Sequence, residues 1–304
     1  MSQTRTPRPD FFIVGAPKAG TTSLHDYLRQ HPQIYMPAVK ELNYFGSDRA
    51  LRNTPRLTEA EYLRMFAKAP DGVRIGEASV SYLRSELAAR EIAAFAPGAQ
   101  AIVMLRNPVE MMHAMHSELV FLGAEDLPDF SEAVAAEADR RQGRRIPAAV
   151  NNPRAVLYRD AATFSGQLER YFDALGRDHV HVIVFDDFQA DTAAQVRDTF
   201  RFLAVDASFM PRMEIINAAK VPRLRVVQRL LQSPPGWLRG AARRVLPRTS
   251  RKRIYRGAQR LNARRRERAA MAPELRARLV AEFVPEVERL ERLLGRDLSA
   301  WKAT

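Results

Sequence analysis

Phe11-Phe12-Ile13-Val14-Gly15-Ala16-Pro17-Lys18-Ala19-Gly20-Thr21-Thr22-Ser23-Leu24 is the stretch on which the fold turns. Its first residues are apolar without alternation and end in glycine, as a parallel strand buried on both faces should. From Thr22 to Arg29 the spacing becomes helical, with Leu24, Tyr27 and Leu28 on one face. Strand, loop and helix therefore meet at residues 15–23. Backbone N–H groups at a helix start, aided by the helix dipole, make such a junction a phosphate site. Lys18 and the hydroxyls of Thr21, Thr22 and Ser23 add donors. An ATP or GTP loop reads G-x-x-x-x-G-K-[ST]. Gly15 and Gly20 keep that spacing, but Thr21 stands where the lysine belongs, and the lysine comes earlier, at Lys18. The strand ending at Leu105 runs into Arg106 rather than an acid, so the Mg²⁺-holding residues of a nucleotide triphosphatase are not evident. The loop suits a phosphate donor that needs no metal. The plainer alternative is a turn that merely links strand to helix.

Working outward, residues 73–77, 101–105 and 180–185 read as further strands, and 34–36 as a brief extended piece stopped by Pro37. Residues 59–66, 85–95, the stretch from Pro108 towards Val120, 164–175, 193–203 and 274–294 read as helices, the last ending at Gly295. Strands alternating with helices predict an α/β fold: a central parallel β-sheet of the P-loop-NTPase type, flanked by helices. Ligands of such sheets bind at the carboxyl ends of the strands. The loops after Val14 and Leu105 should therefore open on one cleft.

The 304 residues include no cysteine, which excludes disulfides, thiolate metal sites and a cysteine nucleophile. Residues 1–10 are polar and lack a signal-peptide pattern. No apolar run reaches the roughly 18–20 residues a membrane span needs. The expectation is a cytoplasmic protein. The net charge of +13 is uneven: Lys220 to Arg268 holds 17 Lys or Arg against Glu267 alone, a net +16, which leaves the rest near −3. Three segments follow: an α/β core over 1–223, a basic helical insertion or lid over 224–273, and a helix over 274–304 that completes the core.

Pro17-Lys18-Ala19-Gly20-Thr21-Thr22-Ser23-Leu24 closely resembles the 5'-phosphosulfate loop of sulfotransferases that use 3'-phosphoadenosine 5'-phosphosulfate (PAPS). Four further segments agree in order. Lys40-Glu41-Leu42-Asn43-Tyr44-Phe45 resembles that family's K-E-x-x-x-F segment, and Gly76-Glu77-Ala78-Ser79-Val80-Ser81-Tyr82-Leu83 its G-E-x-[ST]-P-x-Y-L segment. Leu105-Arg106-Asn107-Pro108-Val109-Glu110 resembles the start of its 3'-phosphate site, and residues 293–301 a common terminus. The chain is most similar to bacterial members related to the carbohydrate, heparan-type enzymes.

The resemblance implies roles. Lys18 neutralises charge on the bridging oxygen of the leaving 5'-phosphate, and Glu41 is the base that takes the acceptor's proton; the alternative for Glu41 is a surface charge pair with Lys40. Lys18, Ala19, Gly20, Thr21, Thr22 and Ser23 cradle the 5' end of PAPS, and Arg106 binds its 3'-phosphate. The serine the family places eight residues after that arginine is Ala114 here, so Ser117, one turn on, is the substitute candidate. Lys220 and Arg223 are candidate phosphate contacts from a late closing loop. Glu77, Tyr82 and Tyr158 are candidate acceptor contacts, and Lys40 a candidate contact for acceptor or donor, though Ala78 and Val80 depart from the lysine and proline of carbohydrate-type relatives. His31, His113 and His116 are alternative bases. No metal is implied, and the product is 3',5'-adenosine bisphosphate (PAP). The expected partner is a hydroxyl-bearing acceptor, a saccharide or glycolipid. Residues 224–268 read as a solvated helical face, as a lid for an anionic glycan, or as a peripheral contact with the anionic inner membrane surface; no nucleic-acid recognition motif is present. The rival function is a phosphate-loop nucleotide-binding protein, either a kinase or a non-catalytic basic adaptor.

Overall fold

A computed structural model describes residues 7–49, 51–52, 55–213, 220–222, 263–265 and 270–303. Five parallel strands form the central sheet: β1 (Phe11–Gly15), β2 (Ile34–Tyr35), β3 (Arg74–Ala78), β4 (Gln100–Leu105) and β5 (Val180–Val184). They lie in the order β2-β3-β1-β4-β5. β1 is the middle strand, with Phe12 opposite Glu77 of β3 and Ala101 of β4. The unbroken apolar run that suggested a doubly covered strand is fully buried from Phe11 to Val14.

Helices connect the strands: α1 (Thr21–Arg29), α2 (Glu59–Arg64), α3 (Ala88–Phe95), α4 (Pro108–Leu122), α5 (Phe130–Ala135), α6 (Glu137–Arg141), α7 (Tyr158–Ala162), α8 (Phe164–Leu175), α9 (Phe185–Ala190), α10 (Thr192–Phe202) and α11 (Pro273–Leu294). α1 packs beside α10, while α3, α8 and α11 pack together. The expected parallel sheet flanked by helices is the observed one. Some boundaries differ. α2 begins at Glu59 as expected, after a reciprocal Thr58–Glu61 capping box, but ends at Arg64 rather than at residue 66. Phe185, expected to end a strand, instead opens α9. α5, α6 and α7 were not anticipated. They are five or six residues each, too short to show a clear helical period.

α11 buries Leu275, Leu279, Val280, Phe283, Val287 and Leu290 in the common core. The segment after α11 is tied to α9 by the Arg296–Asp187 ion pair, and there Trp301 Nε1 donates to Asp186 at 2.5 Å. The expected basic insertion lies largely outside the described residues. Two short strands, β6 (Lys220–Pro222) and β7 (Ala263–Arg265), pair antiparallel at its ends.

Gly76 lies opposite Phe11 across the β1–β3 ladder, and a Cβ there would come within 2.2 Å of the Phe11 ring. A Gly76→Ala variant should therefore lose about 1–3 kcal/mol through overpacking. Chemical denaturation checks this.

Candidate active site

β1 and β4 are neighbours whose following loops leave the same end of the sheet, so the topology alone brings residues 15–23 and Arg106 together. The contact is direct: Arg106 Nη1 donates to the Lys18 carbonyl oxygen at 3.1 Å. The Arg106 guanidinium also lies 4.7 Å from the centre of the Phe185 ring at the start of α9. That stacking steadies a planar cation beside the loop.

The loop is shaped for an anion. Gly20 is the N-cap of α1 at φ 91°, no side chain caps the helix, and its first turn holds no acid. A Cβ on Gly20 would press on Met104, Phe185 and Phe188 at 3.2–3.3 Å, so both conformation and space require glycine. Lys18 takes a left-handed backbone, φ 61°. Thr21 is buried, while Thr22 and Ser23 are partly exposed. Lys40 reaches this loop, with Nζ 3.3 Å from Thr21 Oγ1 and 3.1 Å from Thr22 Oγ1. Lys40 thus brings an ammonium beside Thr21, the residue that stands in sequence where ATP loops carry their own lysine. Of the two contacts expected for it, acceptor or donor, its position on the loop hydroxyls matches the donor side. These ammonium, guanidinium, hydroxyl and helix-terminus groups are the donor set a phosphosulfate would need, and they fit it.

Glu41 follows directly, at φ 61°. Its backbone N–H donates to Ala78 O at 2.8 Å, and its carboxylate accepts from the Val80 N–H at 3.2 Å. The residue is exposed, yet protein atoms crowd its carboxyl. Burial is the main influence on its carboxyl and raises it above the ordinary carboxylate range. Lys40 and the Val80 N–H oppose that rise, and Glu118 adds to it. Burial also lowers the Lys40 ammonium, with Glu41 and Glu118 opposing and Lys18 adding.

Glu77 and Tyr82, expected to face the acceptor, are buried beneath the loop that carries Glu41. Glu77 accepts from Ser79 Oγ at 2.5 Å, Tyr62 OH at 2.8 Å and Tyr82 OH at 2.9 Å. Tyr82 OH in turn accepts the backbone N–H groups of Tyr44 (2.9 Å) and Phe45 (3.3 Å). Burial pushes the Glu77 carboxyl up to about 7 despite the three hydroxyls, which pull it down. Arg49 braces the same loop, donating to the Asn43 and Phe45 carbonyls at 2.7 Å and to Ser81 Oγ at 2.7 Å. These side chains hold Glu41 in a backbone conformation that L-residues seldom adopt. Their physical role is positioning, because nothing bound in the cleft could reach them.

Tyr158 is also buried, and its hydroxyl donates to Glu125 at 2.5 Å within the Glu125–Arg140 ion pair. Ser117 Oγ donates to the His113 carbonyl of its own helix at 2.9 Å, and Ala114 is buried. The side chain of Lys220 and the whole of Arg223 lie outside the described residues. His31 and His116 are buried, with Nε2 against the Asp206 and Leu127 carbonyls, and His113 packs on Phe130.

Sequence reading missed Glu118. Its carboxylate lies 3.4 Å from Lys18 Nζ. The available signal was helical spacing: Glu118 stands one turn beyond Ala114, on a helix that starts from the arginine loop. Phe185 was missed because its run looked like one continuous strand.

A sequence model described as "Sulfotransferase family" matches residues 9–73, the span holding Lys18, Lys40 and Glu41. Human carbohydrate sulfotransferase 15 is 31% identical over 168 residues, covering 41% of this chain and 30% of the relative. Human heparan sulfate glucosamine 3-O-sulfotransferase 6 is 32% identical over 108 residues, covering 33% of this chain and 28% of the relative. The match thus spans under a third of these curated relatives. The crystal structure of a sulfotransferase from Alicyclobacillus acidocaldarius is 30% identical, covers 98% of this chain and 100% of its own, and superposes with a TM-score of 0.73. With a lysine-and-hydroxyl loop after the central strand, an arginine after its neighbour, and full-length likeness to that structure, the chain belongs to the sulfotransferase family.

Proposed function

We propose that this protein transfers a sulfuryl group from PAPS to a hydroxyl of a saccharide-containing acceptor, with Glu41 as base and Lys18 as the cation at the leaving oxygen. The observation that supports the reading is the Arg106–Lys18 contact, which joins the two anion-binding loops, together with Lys40, the residue before Glu41, lying on Thr21 and Thr22. PAPS supplies a sulfuryl group joined to a phosphate that departs as the leaving group. Glu41 accepts the acceptor's hydroxyl proton as the oxygen–sulfur bond forms. The bond from sulfur to the bridging oxygen breaks, that oxygen keeps the electron pair, and Lys18 meets its charge. A carboxyl raised by burial is a stronger base than an ordinary one, so the shift favours this role. Lys40 and the Thr21 and Thr22 hydroxyls hold the 5' end, and Arg106 holds the 3'-phosphate. For Ser117 to serve that phosphate, its hydroxyl must turn from the His113 carbonyl and donate to it instead.

The heparan and carbohydrate relatives support a saccharide acceptor. A glycolipid is the acceptor form that gives residues 224–268 a use, as a basic face meeting anionic lipid at the inner membrane surface of a cytoplasmic enzyme. Among the described residues no helix is long and apolar enough to cross a membrane.

Thermal shift tests the reading. PAP without Mg²⁺ should stabilise the fold by about 2.7 kcal/mol at a hundredfold excess over Kd, and ATP with Mg²⁺ should do little. Preference for ATP–Mg would return the chain to the kinase or adaptor class. Arg106→Ala should weaken PAP binding by roughly 10–100-fold while leaving 5'-AMP, which lacks the 3'-phosphate, nearly unchanged. Equal losses for both nucleotides, read by calorimetry, would remove Arg106 from the 3'-phosphate.

A further inference from the structure

The odd feature of the cleft is a carboxylate in a place built for anions. Glu118 stands on α4 with Oε1 3.4 Å from Lys18 Nζ. Lys18 is the cation that the proposed reaction needs at the leaving oxygen. A donor or product phosphate that engages Lys18 must therefore compete with Glu118 for the same ammonium and bring negative charge close to a carboxylate. The competition is easily reversed. The Glu118 side chain is 46% exposed and that of Lys18 28% exposed, so the pair can open and close without disturbing the core. α4 itself does not have to move, because its buried face is held by Val109, Met111, Met112 and Met115.

We propose, building on the sulfotransfer reading above, that Glu118 is a release residue: it reclaims Lys18 from the spent nucleotide and so keeps PAP from lingering in the cleft. Once the sulfuryl group has gone, the 5'-phosphate gains charge and holds Lys18 more strongly than the donor did. Without a rival for the lysine, the product would be the tightest ligand in the cycle, and its departure would limit turnover. A fixed carboxylate within reach of the ammonium lowers that trap. It penalises the product more than the donor, because the product gathers on the phosphate beside Lys18 the charge that the donor spreads over phosphate and sulfate. Glu118 touches no reacting atom in this role; it acts through Lys18.

The test is a double-mutant cycle on PAP binding and dissociation, measured by calorimetry and stopped-flow, with wild type, Glu118→Gln, Lys18→Ala and the double variant. Glu118→Gln should bind PAP roughly three- to ten-fold tighter, chiefly through slower dissociation, with turnover more strongly inhibited by added PAP. In the Lys18→Ala background the gain should shrink to under about twofold, since the contested cation is gone. Glu132→Gln removes one exposed acid elsewhere and should leave PAP dissociation unchanged. The inference is overturned if Glu118→Gln binds PAP no tighter, if the gain persists undiminished without Lys18, or if Glu132→Gln gives the same gain. Wild type that does not bind PAP, or a Lys18→Ala variant that binds it as well as wild type, overturns the sulfotransfer reading and this inference with it. Weakening by Lys18→Ala without tightening by Glu118→Gln removes the inference alone.

Discussion

Glutamine at position 41 should lower kcat by about 10²–10⁴-fold and leave PAP affinity nearly unchanged. The substitution keeps the side chain's size and an oxygen that can still accept from the Val80 N–H, so the loop has little reason to move. The loop's other anchors also stay intact: the Glu41 N–H on Ala78, the Tyr82 hydroxyl under Tyr44 and Phe45, and Arg49 across Asn43 and Phe45. Only the proton acceptor is lost. On the proposed reading donor binding rests on the loop, Lys40 and Arg106; of these the change reaches only Lys40, through the charge that Glu41 no longer supplies. The wild-type rate should fall as pH drops through the Glu41 value, which lies above the ordinary carboxylate range, because the ionised form is the base. Steady-state turnover and PAP calorimetry on the same preparation separate these effects. Wild-type turnover in Glu41→Gln would remove the base assignment, and loss of PAP binding would make the residue a structural one.

The second large effect falls on stability. Arg140→Ala should cost about 3–5 kcal/mol, because it leaves the Glu125 carboxylate buried without its cation. Neither side chain of the pair is accessible to solvent. Arg140 Nη1 and Nη2 donate to the two carboxylate oxygens at 2.8 and 2.7 Å, and the Tyr158 hydroxyl and the Asp126 and Leu127 N–H groups complete the shell. Burial alone would raise the Glu125 carboxyl, but the bonds from Arg140, Tyr158 and the backbone outweigh it and hold the group below its ordinary 4.5. A depressed folded value means the stabilisation is complete above the unfolded value and is lost as pH falls below 4.5 through the folded one. Denaturant titrations at neutral pH and in acid check both statements. A change under about 1 kcal/mol for Arg140→Ala would show that water or movement relieves the stranded charge.

This network shows where reading the chain stops. The apolar run Phe11–Val14, the helix-opening hydroxyls after it and the arginine after Leu105 were legible because local pattern alone determines them. The sheet order then brings the two loops together without further information. Glu77, Tyr82 and Tyr158 were assigned to the acceptor because a carboxylate or phenol near a strand end reads the same whether it meets a ligand or the protein's own backbone. Only tertiary packing separates those cases, and here the partners are Tyr44, Phe45 and Glu125. Lys40 was left open between donor and acceptor for the same reason, since its reach to Thr21 and Thr22 is a tertiary contact. Glu118 lay at a visible helical spacing, but its meaning depends on Lys18, a hundred residues earlier.

The most direct measurement is a crystal structure of the protein with PAP. The 5'-phosphate should lie on residues 18–23 within reach of Lys18 and Lys40, the 3'-phosphate on the Arg106 guanidinium, and the Glu41 carboxylate should face the open 5' end. A nucleotide whose two phosphates sit elsewhere, or that leaves Arg106 on its Lys18 carbonyl and Phe185 with no phosphate beside it, would contradict the account.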